Sequence, residues 1–166
     1  MQTPQRKPGK YAGQKPDPYL TESKFNELKN KLERLKKNSQ PKAREEVKRL
    51  AEMGDFSENA AYQIAKGRLR GMNQAILDIE DHLKRAIIIN KAVNFDCVQL
   101  GNVITVEVGE KIRKFQILGS SETNPLSGII SYNSPIGSAL LGARIGDVVS
   151  IRLTTGEKRY KILKIE

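Results

Sequence analysis

The chain has 166 residues with one cysteine, one histidine and no tryptophan, and its 29 Lys and Arg outnumber its 19 Asp and Glu to give a formal charge of +10. One or two domains fit that length; a lone Cys97 excludes an internal disulfide, and with His82 the only histidine there is neither a Cys and His zinc cluster nor a catalytic triad. No apolar run reaches the about 18 residues of a membrane span, and the basic start lacks the hydrophobic stretch of a signal peptide, so the composition points to a soluble, cytoplasmic protein with no membrane contact and with polyanions, or surfaces beside them, as partners.

Residues 1–17 carry three prolines, two glycines and the cations Arg6, Lys7, Lys10 and Lys15 without a periodic apolar pattern. That composition predicts a flexible basic tail, either a weak nucleic-acid contact or a plain solvated extension.

From 18 to 90 the texture is helical. Thr21 is placed to cap a first helix, whose apolar stripe runs Phe25, Leu28, Leu32, Leu35 and resumes in a shifted phase at Ala43, Val47 and Leu50. Pro41 sits in that gap, so a kink or break is expected near Ser39-Gln40. Gly54 suits the left-handed stop after Met53. Beyond it, Ala65, Leu69, Met72, Ile76, Ile79, Leu83 and Ala86 alternate steps of four and three, a heptad seam that needs a partner helix. The preceding segment of the same chain supplies one, so the pattern predicts an antiparallel hairpin. A second helix from Glu58 to Ile87 would be about 44 Å long at about 1.5 Å per residue. Its tip, Gly54-Asp55-Phe56-Ser57-Glu58-Asn59, then stands far from the rest of the molecule.

Charge is graded along this arm. Lys36, Lys37, Lys42, Arg44, Lys48 and Arg49 lie on the first strand towards the tip, and Lys66, Arg68 and Arg70 on the second helix, with no acid between Asn59 and Leu77. Asp78, Glu80 and Asp81 follow nearer the base. Such runs suit either the solvated face of a helix or a shaft beside phosphates. The tip acids allow two readings as well. Asp55 as N-cap and Glu58 three residues on make a capping box; the same two carboxylates could hold a hard cation such as magnesium jointly with a phosphate.

From 91 to 166 short β-rich runs replace the helical period: Val103 to Val108, Lys114 to Leu118, Ile129 to Tyr132, Asp147 to Leu153 and Arg159 to Ile165. Turn signals separate them at Gly109-Glu110, Asn124-Pro125 and Thr155-Gly156. Ser134-Pro135, then Ile136 to Leu141 and Gly142, reads as one short capped helix. Cys97, beside an apolar run, is expected to be a buried thiol. The fold class is therefore α+β, a coiled-coil hairpin followed by a small antiparallel-sheet domain of about 75 residues, with domains at 1–17, 18–90 and 91–166.

Two long runs carry a family pattern. GDFSENAAYQIAKGRLRG at 54–71, following a first helix with an internal proline, resembles the arm tip of the bacterial Gre transcript-cleavage factors, and ISYNSPIGSALLGARIGDVVSI at 130–151 resembles their second domain. The resemblance spans roughly residues 18–166, in order. It implies an FKBP-like second domain that docks on RNA polymerase, here through Ser134, Pro135 and Ile136, while the coiled coil enters the secondary channel. The factor is then no enzyme itself. It stimulates the polymerase's own cleavage of backtracked RNA at the 3′ end, has no cofactor of its own, and acts with the magnesium of the polymerase active site. On this reading Asp55 and Glu58 are the catalytic, metal-assisting acids, with Asn59 and Tyr62 supporting them. Lys48, Arg49, Lys66, Arg68 and Arg70 would face nascent RNA or the channel wall. The matched lengths of the two helical segments lead to a monomer.

Three other readings compete. A Gre-like regulator could enter the channel and inhibit without cleavage, against which the intact Asp55 and Glu58 argue. A prolyl isomerase would need a set of aromatic walls, where this domain offers Phe95, Phe115, Tyr132 and Tyr160 alone. A stand-alone nucleic-acid binder would want stacking aromatics along the basic shaft, and none is grouped there.

Overall fold

The structure is a computed structural model that describes residues 16–53, 60–90, 95–153 and 156–166. Its first half is a helical hairpin. Helix α1 (Glu22–Arg34) begins at Thr21, whose hydroxyl accepts from the Lys24 amide at 3.2 Å, the capping bond expected of it. Helix α2 (Gln40–Glu52) follows, and both pack against α3 (Ala60–Arg85).

Between α1 and α2 the chain stays helical, so the expected irregularity is not a break. Residues Leu35–Ser39 instead form a π-helical turn, and Ser39 and Gln40 keep helical dihedrals straight into Pro41. The Gln40 amide donates to the Leu35 carbonyl, a reach of five residues. Such a turn inserts one residue into a helix. The apolar seam therefore steps five from Leu35 to Gln40 before resuming at Ala43, Val47 and Leu50. The phase shift in the sequence is the mark of this inserted residue. Pro41 falls in the first turn of α2, where a missing N–H costs least. Gln40, now on the seam, donates from Nε2 to Asn73 Oδ1 at 2.7 Å across the hairpin.

Helix α3 ends at Arg85, two residues before the expected Ile87. Ile87 and Ile88 form strand β2 (Ile87–Ile88), parallel to β1 (Tyr19–Leu20). Three consecutive β-branched residues, Ile87 to Ile89, favour the extended chain. Their amides find partners there: Ile87 donates to Pro18 and Ile89 to Leu20, at 2.7 and 2.8 Å.

The second half holds β3 (Val103–Val108), β4 (Lys111–Leu118), β5 (Ile129–Ser131), the short helix α4 (Pro135–Leu140), β6 (Val148–Leu153) and β7 (Gly156–Ile165) in one sheet of order β5-β4-β3-β7-β6. The sheet is antiparallel except at one place. β4 and β5 run parallel, because residues 119–128 join them through two 3₁₀ turns instead of a tight hairpin. β4 and β7 start earlier than expected. Their hairpins keep pairing up to the turns, with Val108 opposite Lys111 and Leu153 opposite Gly156.

One face of the sheet packs on α4 and buries Val98, Ile104, Val106, Ile117, Ile130, Leu140, Ile151, Tyr160, Ile162 and Ile165. A bulge in β7 makes this possible. Ile165 and Ile162, three residues apart, sit opposite Ile104 and Val106 respectively, so Leu163 is the extra residue and both isoleucines reach the same face. α4 begins at Ser134, whose hydroxyl accepts from the Gly137 amide at 3.0 Å. Gly137 itself lies so close to Ser131 that a Cβ would stand 2.1 Å from that carbonyl oxygen.

Candidate functional site

Asp55, Glu58 and Asn59, like the rest of the tip at 54–59, lie outside the described residues. The shaft that leads to them is described on both sides. At 26 residues, α3 is about 39 Å long. Met53 and Ala60, which flank the tip, stand at the helix ends opposite to Thr21 and Arg85. Lys48 and Arg49 are exposed on the last turns of α2, and Lys66, Arg68 and Arg70 are exposed on α3. Tyr62 is half-buried, and the Lys66 ammonium lies 5.7 Å from its ring centroid, within cation–π range.

The two ends of the shaft differ in how charge is used. Towards the base, Lys24 pairs with Glu27, Lys37 with Glu33, Lys36 with Glu80 across the hairpin, and Arg85 with Asp81. The hydrogen bond from Lys37 and its charge hold the Glu33 carboxyl below the usual carboxylate range; the bond from Lys36 does the same for Glu80. Among the described residues, Lys48, Arg49, Lys66, Arg68 and Arg70 form no ion pair. Five exposed cations along the last turns of α2 and the first turns of α3 attract phosphates from outside.

The base of the arm is fastened by the cap residue Thr21 together with Asp17, His82 and Glu122. The Thr21 amide and hydroxyl both donate to Glu122, at 2.7 and 2.6 Å, so one residue caps α1 and ties it to the sheet domain. Asp17 accepts from the amides of Tyr19 and Ser120 through its two carboxylate oxygens. Its own carbonyl oxygen lies 3.0 Å from Nε2 of the buried His82. Gly119 permits the approach, since a Cβ there would meet the Tyr19 carbonyl oxygen at 2.1 Å. His82 follows the seam residue Ile79 by three, a polar residue on an apolar stripe, and that was the one local signal. Glu122 lies 101 residues from Thr21, and no local pattern marks it.

The proposed docking residues sit at the start of α4. Ser134 is engaged as the cap and donates to the Ser131 carbonyl at 2.6 Å, Ile136 packs against the core, and Pro135 is exposed. Nearby, Tyr19, Val98, Leu100, Tyr132 and Leu141 line an apolar cleft of about 400 Å³, with Tyr19 and Tyr132 edge to face at 5.4 Å between centroids. Cys97 lies on the rim of this cleft, half-buried where a buried thiol was expected. Val98 takes the buried place instead, because its amide and carbonyl bond to Ala143 and Gly142 and aim its side chain inward. Among the described residues no group of three or more His, Cys, Asp or Glu could hold a metal ion, and no helix is long and apolar enough to cross a membrane.

Comparison with known proteins covers nearly the whole of this architecture. The family described as "Transcription elongation factor, N-terminal" matches residues 18–88, and "Transcription elongation factor, GreA/GreB, C-term" matches 92–166. The chain is 35% identical over 151 residues to the transcription elongation factor GreA of Lachnoclostridium phytofermentans, covering 89% of this chain and 94% of that one. It is 39% identical over 149 residues to GreA of Macrococcus caseolyticus, covering 88% and 94%. Among solved structures, the GreA factor homolog 1 (Gfh1) protein of Thermus thermophilus is 28% identical, with a TM-score of 0.42 over 89% of this chain and 97% of that one. With both family halves matched in order, on a helical hairpin and the sheet domain that follows it, the chain belongs to the GreA/GreB family of transcription elongation factors.

Proposed function

We propose that this protein binds RNA polymerase, extends its helical arm through the secondary channel and stimulates cleavage of the 3′ end of backtracked RNA, releasing arrested complexes. The observation that carries the reading is the match of both family halves, together with an arm whose helix α3 runs about 39 Å from Arg85 at the fastened base to Ala60. The sheet domain docks on the polymerase surface around Ser134, Pro135 and Ile136. Lys48, Arg49, Lys66, Arg68 and Arg70 face the extruded nascent RNA or the channel wall, where their exposed charge acts on phosphates.

At the tip, Asp55 and Glu58 offer hard oxygen donors three residues apart, a set suited to magnesium. Magnesium in the polymerase active site supplies an activated water and stabilises the leaving oxygen of the phosphodiester. Asp55 and Glu58 complete the coordination from the factor's side and orient the attacking water, while Asn59 and Tyr62 steady them. The factor is a helper of the polymerase's own hydrolysis and acts as a single chain.

The test uses stalled, backtracked elongation complexes with magnesium. The intact protein shortens the RNA from its 3′ end, and Asp55→Ala/Glu58→Ala lowers stimulated cleavage by at least about a hundredfold while still binding polymerase. Binding by both proteins with shortening by neither would make the arm a blocker and return the two acids to the role of helix cap.

A further inference from the structure

We infer that the open end of the sheet domain's core face is a binding site for a polyphosphate group, separate from the arm. The core-facing positions of β4 run Ile117, Phe115, Arg113, Lys111, and those of β7 run Ile162, Tyr160, Lys158. Each row is apolar in the packed core and cationic beyond it. Between them β3 contributes Val106 opposite Arg113 and Val108 opposite Lys111. The result is a cavity of about 500 Å³ with Val108 and the buried Tyr160 as its apolar floor and the core-face cations Lys111, Arg113 and Lys158 around it; Arg159, from the other face of β7, adds a fourth cation to the lining.

An uncovered sheet end requires polar side chains, but it does not require one sign. Like charges gathered on neighbouring strands repel, and such clusters normally alternate with acids. Here none of the three cations forms an ion pair or side-chain hydrogen bond among the described residues. The acid on the rim, Glu157, stands opposite Arg152 in the β6–β7 register, on the other face from Lys158, which stands opposite Ile151. Three core-face cations around one concavity, two strands apart at about 4.8 Å per strand, match the reach of two or three linked phosphates. Tyr160, the one aromatic residue of the lining, is 4% exposed and packed into the core, so its ring is not open to stack on a base, and the phosphates are the recognised group. Inorganic polyphosphate and the phosphate chain of a nucleoside triphosphate both carry that chemistry.

The test is titration of the full chain with inorganic tripolyphosphate and with ATP at low salt, followed by amide NMR and calorimetry. Saturable binding with shifts centred on Val108, Gly109, Lys111 and Tyr160 is expected. Arg113→Gln and Lys158→Gln should each weaken binding about tenfold. Arg152→Gln and Lys164→Gln, which remove the same charge from the opposite face, should leave it within about twofold. Equal affinity for both probes assigns the site to the phosphate chain alone, and tighter ATP binding with the same shifts assigns it to a nucleotide. Equal losses in all four variants, shifts centred on the arm, no saturation, or tighter binding of a duplex oligonucleotide than of either probe would overturn the proposal.

Discussion

The arm and the sheet domain are stabilised in opposite ways. The domain closes ten apolar residues into one core between its sheet and α4. Among the described residues the helices of the arm bury Leu50, Ala65, Ile76, Ile79 and His82; Phe25, Leu28, Leu32, Leu35, Val47, Leu69 and Met72 stay half-exposed, because two helices cover each other on one side alone. A core tolerates changes at its rim and fails at its centre. A seam spreads its stability along its length and depends on register. That suits a lever, whose ends must hold position while its sides stay free to meet something else.

The comparison breaks most visibly in the domain. Ile104→Ala, at a fully buried position, should cost about 4 kcal/mol, within the range for large-to-small core changes. Leu69→Ala, on the half-open seam, should cost about 1.5 kcal/mol for the lesser area it buries. Urea unfolding read by amide exchange in each half measures both. Equal costs would mean that the arm is held by more than its seam.

Register supplies the next effect. Deleting Asn30 in α1 turns the preceding residues by about 100° and takes Phe25 and Leu28 off the seam, at a loss of about 3 kcal/mol. Deleting Asn38 together with Pro41→Ala removes the residue that the π-helical turn absorbs and the proline that a continuous α-helix would not accept. That variant should keep its stability within about 1 kcal/mol, because the step from Leu35 to Ala43 becomes a regular seven. Thermal melts followed by circular dichroism separate the two outcomes. If both deletions are equally damaging, the π-helical turn is held by something other than seam register.

Where the sequence was legible, the signal was local. Thr21 and Ser134 were readable as caps because a cap is defined by the next three residues. The seam was readable because its period repeats. The inserted residue was visible as a phase shift, but Pro41 drew the explanation towards a break; the helix absorbs the proline in the first turn of α2. The parallel β4–β5 pair was hidden because strand direction depends on how residues 119–128 travel, and their composition does not state it. The fastening of the arm was hidden for a stronger reason: Asp17 meets His82 and Ser120, and Thr21 meets Glu122, across separations of 65 to 103 residues. For the candidate site, the family motif and the charge gradient singled out the tip acids and shaft cations; the cations are exposed on the shaft, and the tip acids lie outside the described residues. The cationic end of the core face needed the register of three strands, which sequence alone does not provide.

The smallest effect concerns the ion pairs at the base of the shaft, and its sign follows from the direction of the Glu80 shift. The hydrogen bond from Lys36, which bridges the two sides of the hairpin, lowers the Glu80 pKa below its usual value near 4.5; desolvation opposes it, and the charges of Lys36 and Lys84 add smaller effects in the lowering direction. A group whose folded pKa is depressed stabilises the fold above its unfolded pKa and loses that contribution as pH falls through the folded value. Both partners are solvent-accessible, so the contribution is small and salt-screened. Glu80→Gln should therefore melt slightly below the parent at pH 7 and coincide with it well below pH 4, with the neutral-pH difference shrinking in high salt. A Glu33→Gln change should show the same pH dependence, because the Lys37 hydrogen bond lowers that carboxyl too. The two differ in what they join: Glu33 and Lys37 lie one turn apart on a single helical strand, whereas Lys36 and Glu80 connect opposite sides of the seam. Glu80→Gln should consequently raise amide exchange on both strands around Leu35 and Ile76, and Glu33→Gln on its own strand alone. A Glu80→Gln penalty that persists unchanged at low pH would assign the effect to packing of the side chain and not to its charge.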